Sequence, residues 1–182
     1  MSDKRSSLRR LKKESIKLLT SPDMDSALEE LSHFPPRRVV NSLFSLLYHE
    51  NPVIKWHAVT AIGDAVSRLT KEDLEAGRVV IRRLMWNCND ESGGIGWGSP
   101  EAMGEILSSH PKLAEEYASI LLSYAREDGN FQEHPLMQRG VLWGIGRVAQ
   151  TNPDFFKGGG GHFIPYLHSS DSTVRGLACR HR

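Results

Sequence analysis

The stretch Asn89-Asp90-Glu91-Ser92-Gly93-Gly94-Ile95-Gly96-Trp97-Gly98-Ser99-Pro100-Glu101 stands furthest in composition from the rest of the chain. Its closely spaced glycines let the backbone take positive φ and come near a ligand. It runs into a helix start at Ser99-Pro100, where free N–H groups favour anions. A phosphate cradle is nevertheless disfavoured. No Gly-Lys-Ser/Thr follows the glycines and no strand pattern precedes them. Asp90, Glu91, Glu101 and Glu105 would also repel phosphate. Two readings remain: a tight connection with Trp97 tucked into the core, or a surface loop that contacts a partner.

Glu101 and Glu105 are one helical turn apart, and like charges there cost about a few tenths of a kcal/mol unless a cation or basic residue offsets them. His57 falls at the position equivalent to Glu105 in the repeat register described below. A His57/Glu101/Glu105 cluster, with Asp90 or Glu91 close by, has the donor types for a divalent metal or for acid–base work. No HExxH or paired CxxC supports it, so a partly solvated polar strip is the expectation. No catalytic residue, metal or cofactor is assigned. Trp56, Trp86, Trp97 and Trp143 form the other unusual set. Trp86 follows Arg82 by one turn, which suits a cation–π contact or a binding hot spot. Trp56 lies opposite the Ile54/Ala58 face and is expected to pack on a neighbour. The candidate binding residues are His57, Arg82, Trp86, Asn87, Asp90, Glu91, Trp97, Glu101 and Glu105.

The elements that must position them are helices. Apolar residues recur at helical spacing between Pro, Gly and Asn/Asp punctuation. The pattern predicts helices at about 5–20, 23–33, 35–49, 52–69, 71–88, 99–109, 111–126, 134–150, 154–168 and 171–180. The run Gly158-Gly159-Gly160-Gly161 is expected to break the 154–168 helix. Asn51-Pro52, Ser99-Pro100 and His134-Pro135 put Pro at the first helical position, where its missing N–H costs nothing. Asp171-Ser172 supplies a cap without Pro.

These starts recur at intervals of 48, 35 and 37 residues. Placed on one column, they are followed three positions on by Ile54, Ala102, Met137 and Val174, and seven positions on by Ala58, Ile106, Val141 and Ala178. A recurring helix pair of that length cannot bury its apolar face alone; stacking on its neighbours does so. Gly140, Gly144 and Gly146 inside a predicted helix point to close helix–helix approach.

Asn51-Pro52-Val53-Ile54-Lys55 with Ala58, Ala61, Ile62 and Gly63 resembles the first helix of a HEAT repeat, as does Asp171-Ser172-Thr173-Val174-Arg175 with Ala178. Both are most similar to the short HEAT-like repeats first noted in phycobilisome lyases. The segment from Asn87 to Ile106 resembles that of an uncharacterised bacterial group of HEAT-like proteins. The resemblance covers residues 23–182. It implies an all-α fold, a right-handed α-α superhelix (a HEAT-like solenoid) of about four helix pairs. Residues 1–22 are expected to form a basic N-terminal capping helix, with Leu8, Leu11, Ile16, Leu18 and Leu19 on one face, and residues 23–182 the repeat domain.

The totals bound the function. Residues 1–17 carry seven basic and two acidic residues, a charge of +5, so the other 165 of the 182 residues sum to −4. A mildly acidic body argues against nucleic acid, whose binding rests on phosphate neutralisation. No apolar run approaches the roughly 18 residues that span a bilayer, so no membrane is expected. The isolated Cys88 and Cys179 suit a reducing cytoplasm. The leading expectation is a non-enzymatic protein-interaction or scaffold module, with a groove formed by the second helices and a contact segment at 87–105. The alternative is a small-ligand-binding or lyase-like accessory enzyme, since related repeats occur in bilin lyases. A nucleic-acid role comes third; some DNA-repair glycosylases use a HEAT-like groove with Trp and Asp, residue types shared by Trp86 and Asp90.

Overall fold

The computed structural model describes residues 2–89 and 96–179, with side chains from residue 9 onward. Among these residues the regular elements are all helical, and no strand occurs. They are α1 (Ser2–Leu19), α2 (Met24–Ser32), α3 (Pro36–Leu43), α4 (Pro52–Glu72), α5 (Leu74–Cys88), α6 (Ser99–Ser109), α7 (Pro111–Ser123), α8 (Pro135–Thr151) and α9 (Ser172–Cys179). Short 3-10 turns lie at Phe44–Leu46, Pro153–Phe156, Gly159–Phe163 and Pro165–His168. No described helix is long and apolar enough to cross a membrane.

The helix starts follow from cap chemistry. Asn51 Oδ1 accepts from the Val53 N–H at 2.9 Å, and Asp171 Oδ1 accepts from Thr173 at 2.8 Å. Histidines do the same work: the Leu136 N–H donates to His134 Nδ1 at 3.2 Å, and that of Leu113 to His110 Nδ1 at 3.4 Å. Each satisfies an N–H that the first helical turn leaves without an intrahelical acceptor. Ser99 departs from the expectation. The cap of α6 is Gly98, at φ 84°, and Ser99 is already helical. Its hydroxyl is buried and has no hydrogen-bond partner among the described residues. The predicted helix at 35–49 ends at Leu43 and tightens into a 3-10 turn, and the one at 154–168 is replaced by three such turns. Gly158, at φ 80°, and Pro165 both interrupt it.

The chain forms two compact units, Met1–Val80 and Ile81–Arg182, with the division inside α5. In the first, α1 packs on α2, α3 and α4, and α4 lies against α2 and α3. In the second, α6 packs on α7 and most extensively on α8, which also meets α7 and α9. In the second unit the helices touch sequence neighbours and next-but-one neighbours, the layering of a helical repeat; in the first, α1 also reaches α4. The register of the repeat is borne out by burial. Ile54, Ala102, Met137 and Val174 are buried, and so are Ala58, Ile106, Val141 and Ala178. Burying one of the larger of these side chains contributes about 1.5–3 kcal/mol, and sharing that burial between neighbouring helices is what holds each unit.

Candidate functional site

The sequence-predicted residues fall into three groups. His57 belongs to the first unit, on α4, where its Nδ1–H donates to the Leu19 carbonyl at 2.9 Å. That carbonyl is the last of α1 and has no intrahelical donor, so His57 serves as a C-terminal cap. Asp90 and Glu91 lie outside the described residues. The remaining six are in the second unit: Arg82, Trp86 and Asn87 on α5, Trp97 in the turn before α6, and Glu101 and Glu105 on α6.

Residues 96–105 face α8. Gly96 comes so close to the last turn of α5 that a Cβ there would lie 2.6 Å from the Asn87 carbonyl oxygen. Trp97 is not tucked into the core: it is 38% exposed, with its ring 5.9 Å from the ring of His134, the α8 cap, at 39°. The left-handed turn at Gly98 starts α6 immediately after Trp97, which leaves the indole at the helix mouth. Glu101 is buried, 3% exposed, with its carboxylate directly against Gly140. Glu105 receives two hydrogen bonds from Arg147 of α8, Nε to Oε2 at 2.7 Å and Nη2 to Oε1 at 3.1 Å. Arg147 supplies the offsetting cation that the Glu101/Glu105 spacing called for. Its own protonated form is favoured further, chiefly by the Glu105 hydrogen bond.

Glycine sets this geometry. A Cβ on Gly104 would collide with the backbone of Gly144, whose oxygen would be 2.7 Å away, and one on Gly144 would lie 2.6 Å from the Pro100 carbonyl oxygen. The helix backbones therefore touch, as the glycines of α8 implied. The pairing of Glu101 with Gly140 belongs to the same contact. Within its own unit, His57 is held by the Leu19 carbonyl, Glu105 by Arg147, and Glu101 lies against Gly140. Among the described residues no group of three His, Cys, Asp or Glu side chains converges as a metal site. Cys88 is buried, and burial first and the Glu101 charge second push its thiol well above the ordinary range, which keeps it protonated and unreactive.

What remains presented to solvent is the outer face of α5. Trp86 is 73% exposed, and Arg82, one turn earlier, is exposed too. Trp56 in the first unit is also partly exposed, at 37%, where packing on a neighbour was expected; Lys55 Nζ sits 5.2 Å from its ring centroid.

A cleft of about 410 Å³ in the second unit was not foreseen from sequence. It lies between the segment after α7 and the 3-10 turns before α9. Its walls include Arg126, Glu127, Asp128, Phe131, His162 and Tyr166. The Tyr166 hydroxyl donates to the Ala125 carbonyl at 2.9 Å, and burial together with the Glu127 charge pushes this phenol up to about 12. Arg126 grips Asp128 through Nε to Oδ1 at 2.9 Å and Nη2 to Oδ2 at 2.7 Å, and holds that carboxyl below its ordinary range. The only sequence signals were the glycine run at 158–161 and the aromatic residues beside it.

No family model and no curated protein matches the chain. Among solved structures, the crystal structure of an engineered protein is similar at a TM-score of 0.53 and 18% identity, over 94% of this chain and 77% of that one. A second engineered protein is similar at 0.51 and 18%, over 92% of this chain and 46% of that one. At such identity the likeness concerns the fold alone.

Proposed function

We propose that the chain is a HEAT-like repeat protein of the cytoplasm that acts as a non-enzymatic protein-interaction module, with the outer face of α5 as its contact surface. One observation carries this reading: the indole of Trp86 stands 73% exposed on a well-formed helix. Trp is a large apolar side chain, and Trp and Arg dominate interface hot spots. Arg82 on the same face supplies the second residue type. The described acidic members of the 87–105 segment are taken up by α8, Glu101 against Gly140 and Glu105 on Arg147, so the contact is placed on the helix before the loop. The free, unpaired state of Cys88 and Cys179 fits a reducing compartment.

Affinity capture with the native protein and a Trp86→Ala variant tests the reading. Trp86→Ala should keep the melting temperature of the parent while weakening capture of its partner at least about 30-fold, the effect of losing a hot spot worth about 2 kcal/mol. Equal capture by the two proteins would remove α5 as the contact surface.

A further inference from the structure

The cleft beside α7 has the chemistry of a small-ligand site, independently of any role for α5. Its volume, about 410 Å³, falls within the range of pockets that hold small molecules, about 300–1,000 Å³. Its polar wall is unbalanced. The Arg126 guanidinium is spent on Asp128 through two short hydrogen bonds, so its charge is cancelled within the wall. Glu127 makes no ion pair among the described residues and lies near enough to Tyr166 to act on its phenol. Apart from His162, the charged side chains of the wall sum to one net negative charge, in a cavity lined also by Phe131 and Tyr166. The Tyr166 ring is fixed, because its hydroxyl is tied to the Ala125 carbonyl. A prepositioned aromatic surface beside an uncompensated carboxylate favours a cation on a flat apolar body. Such a ligand gains from the ring faces as well as from the charge. An anion would meet Glu127 and would have to displace Asp128 from Arg126.

We propose that this cleft binds an organic ammonium ion carried on a flat apolar group, with the ammonium at Glu127 and the flat group between Phe131 and Tyr166.

Tryptamine, tryptophol and indole-3-propionate share one ring system and differ in charge, so together they test both halves of the proposal. Amide chemical shifts of the full chain would be followed as each compound is added to 10 mM. Tryptamine should give saturable shifts confined to residues 125–138 and 161–169, and bind at least fivefold more tightly than tryptophol or indole-3-propionate. Glu127→Gln should weaken tryptamine at least fivefold and leave tryptophol unchanged. Gly161→Leu should abolish the shifts with the fold intact, since a Cβ on Gly161 has nothing within 4 Å to strain against. The proposal is overturned by absence of saturable shifts, by shifts centred on α5, by equal or tighter binding of indole-3-propionate, or by tryptamine binding that ignores Glu127→Gln.

Discussion

The second unit uses glycine in two opposite ways. At the α6–α8 contact, Gly104 and Gly144 sit where two helix backbones touch, and the space a side chain would need is filled by the opposing main chain. In the 158–161 run, Gly158, Gly160 and Gly161 each have nothing within 4 Å of where a Cβ would stand. A glycine in a helix interior costs about 1 kcal/mol relative to Ala. In α6 and α8 that cost is offset by close approach, which carries Glu101 and Glu105 onto α8. In the run there is no packing to offset it, and the chain gives up the α-helix for 3-10 turns that open a cleft. Composition alone does not separate the two uses; position relative to the helical register does.

The largest way to break this contrast is Gly144→Ala. The added methyl would lie 2.6 Å from the Pro100 carbonyl oxygen, which belongs to backbone and cannot rotate aside. Relief requires α6 and α8 to separate along a contact that also holds Glu101 and Glu105. The expected cost is about 3 kcal/mol or more in urea denaturation, at the upper end of overpacking effects. A loss below about 1 kcal/mol would mean the backbones are not in contact.

A smaller effect tests what the close approach makes possible. Glu105→Gln keeps the shape of the Arg147 partner but removes its charge. Arg147 is about a third exposed, so solvent screens part of the loss, and relief of the Glu101/Glu105 repulsion returns a few tenths of a kcal/mol. The net destabilisation should be about 1 kcal/mol. A double-mutant cycle with Arg147→Met should show that most of it is coupling between the two residues. Additive single effects would mean that the two side chains stabilise the fold independently of each other.

The helix order was legible because caps and prolines punctuate the chain at Asn51, His134 and Asp171, and because the residues three and seven positions beyond each start are apolar. Periodicity identifies which face of a helix is apolar. It does not say what covers the opposite face, which is why Trp56 was expected to be packed and is partly exposed. The end of the 89–101 stretch departs from the expectation for a local reason: the positive φ of Gly98 moves the cap one residue early and leaves Trp97 against His134. Glu101 and Glu105 were legible as a charged pair but not as a packed one, since their partners Gly140 and Arg147 lie about forty positions away. The cleft had no spacing to betray it. Its residues come from 125–138 and 161–169, segments without a common period whose meeting depends on the 3-10 turns.

The smallest effect gives the sharpest comparison, because it removes packing altogether. Gly158 and Gly160 are two residues apart, and neither has an atom within 4 Å of its potential Cβ. They differ in backbone: Gly158 is at φ 80°, and Gly160 is outside the positive region. Gly158→Ala should therefore destabilise by about 1 kcal/mol, the cost of a left-handed conformation for a residue with a Cβ. Gly160→Ala should stabilise by about 0.4–1 kcal/mol, because Ala loses less backbone freedom on folding. Opposite signs for two neighbouring glycines in the same solvent would show that conformation, not contact, shapes this segment. Equal signs would mean that the turn at Gly158 is not the point where the helix is broken.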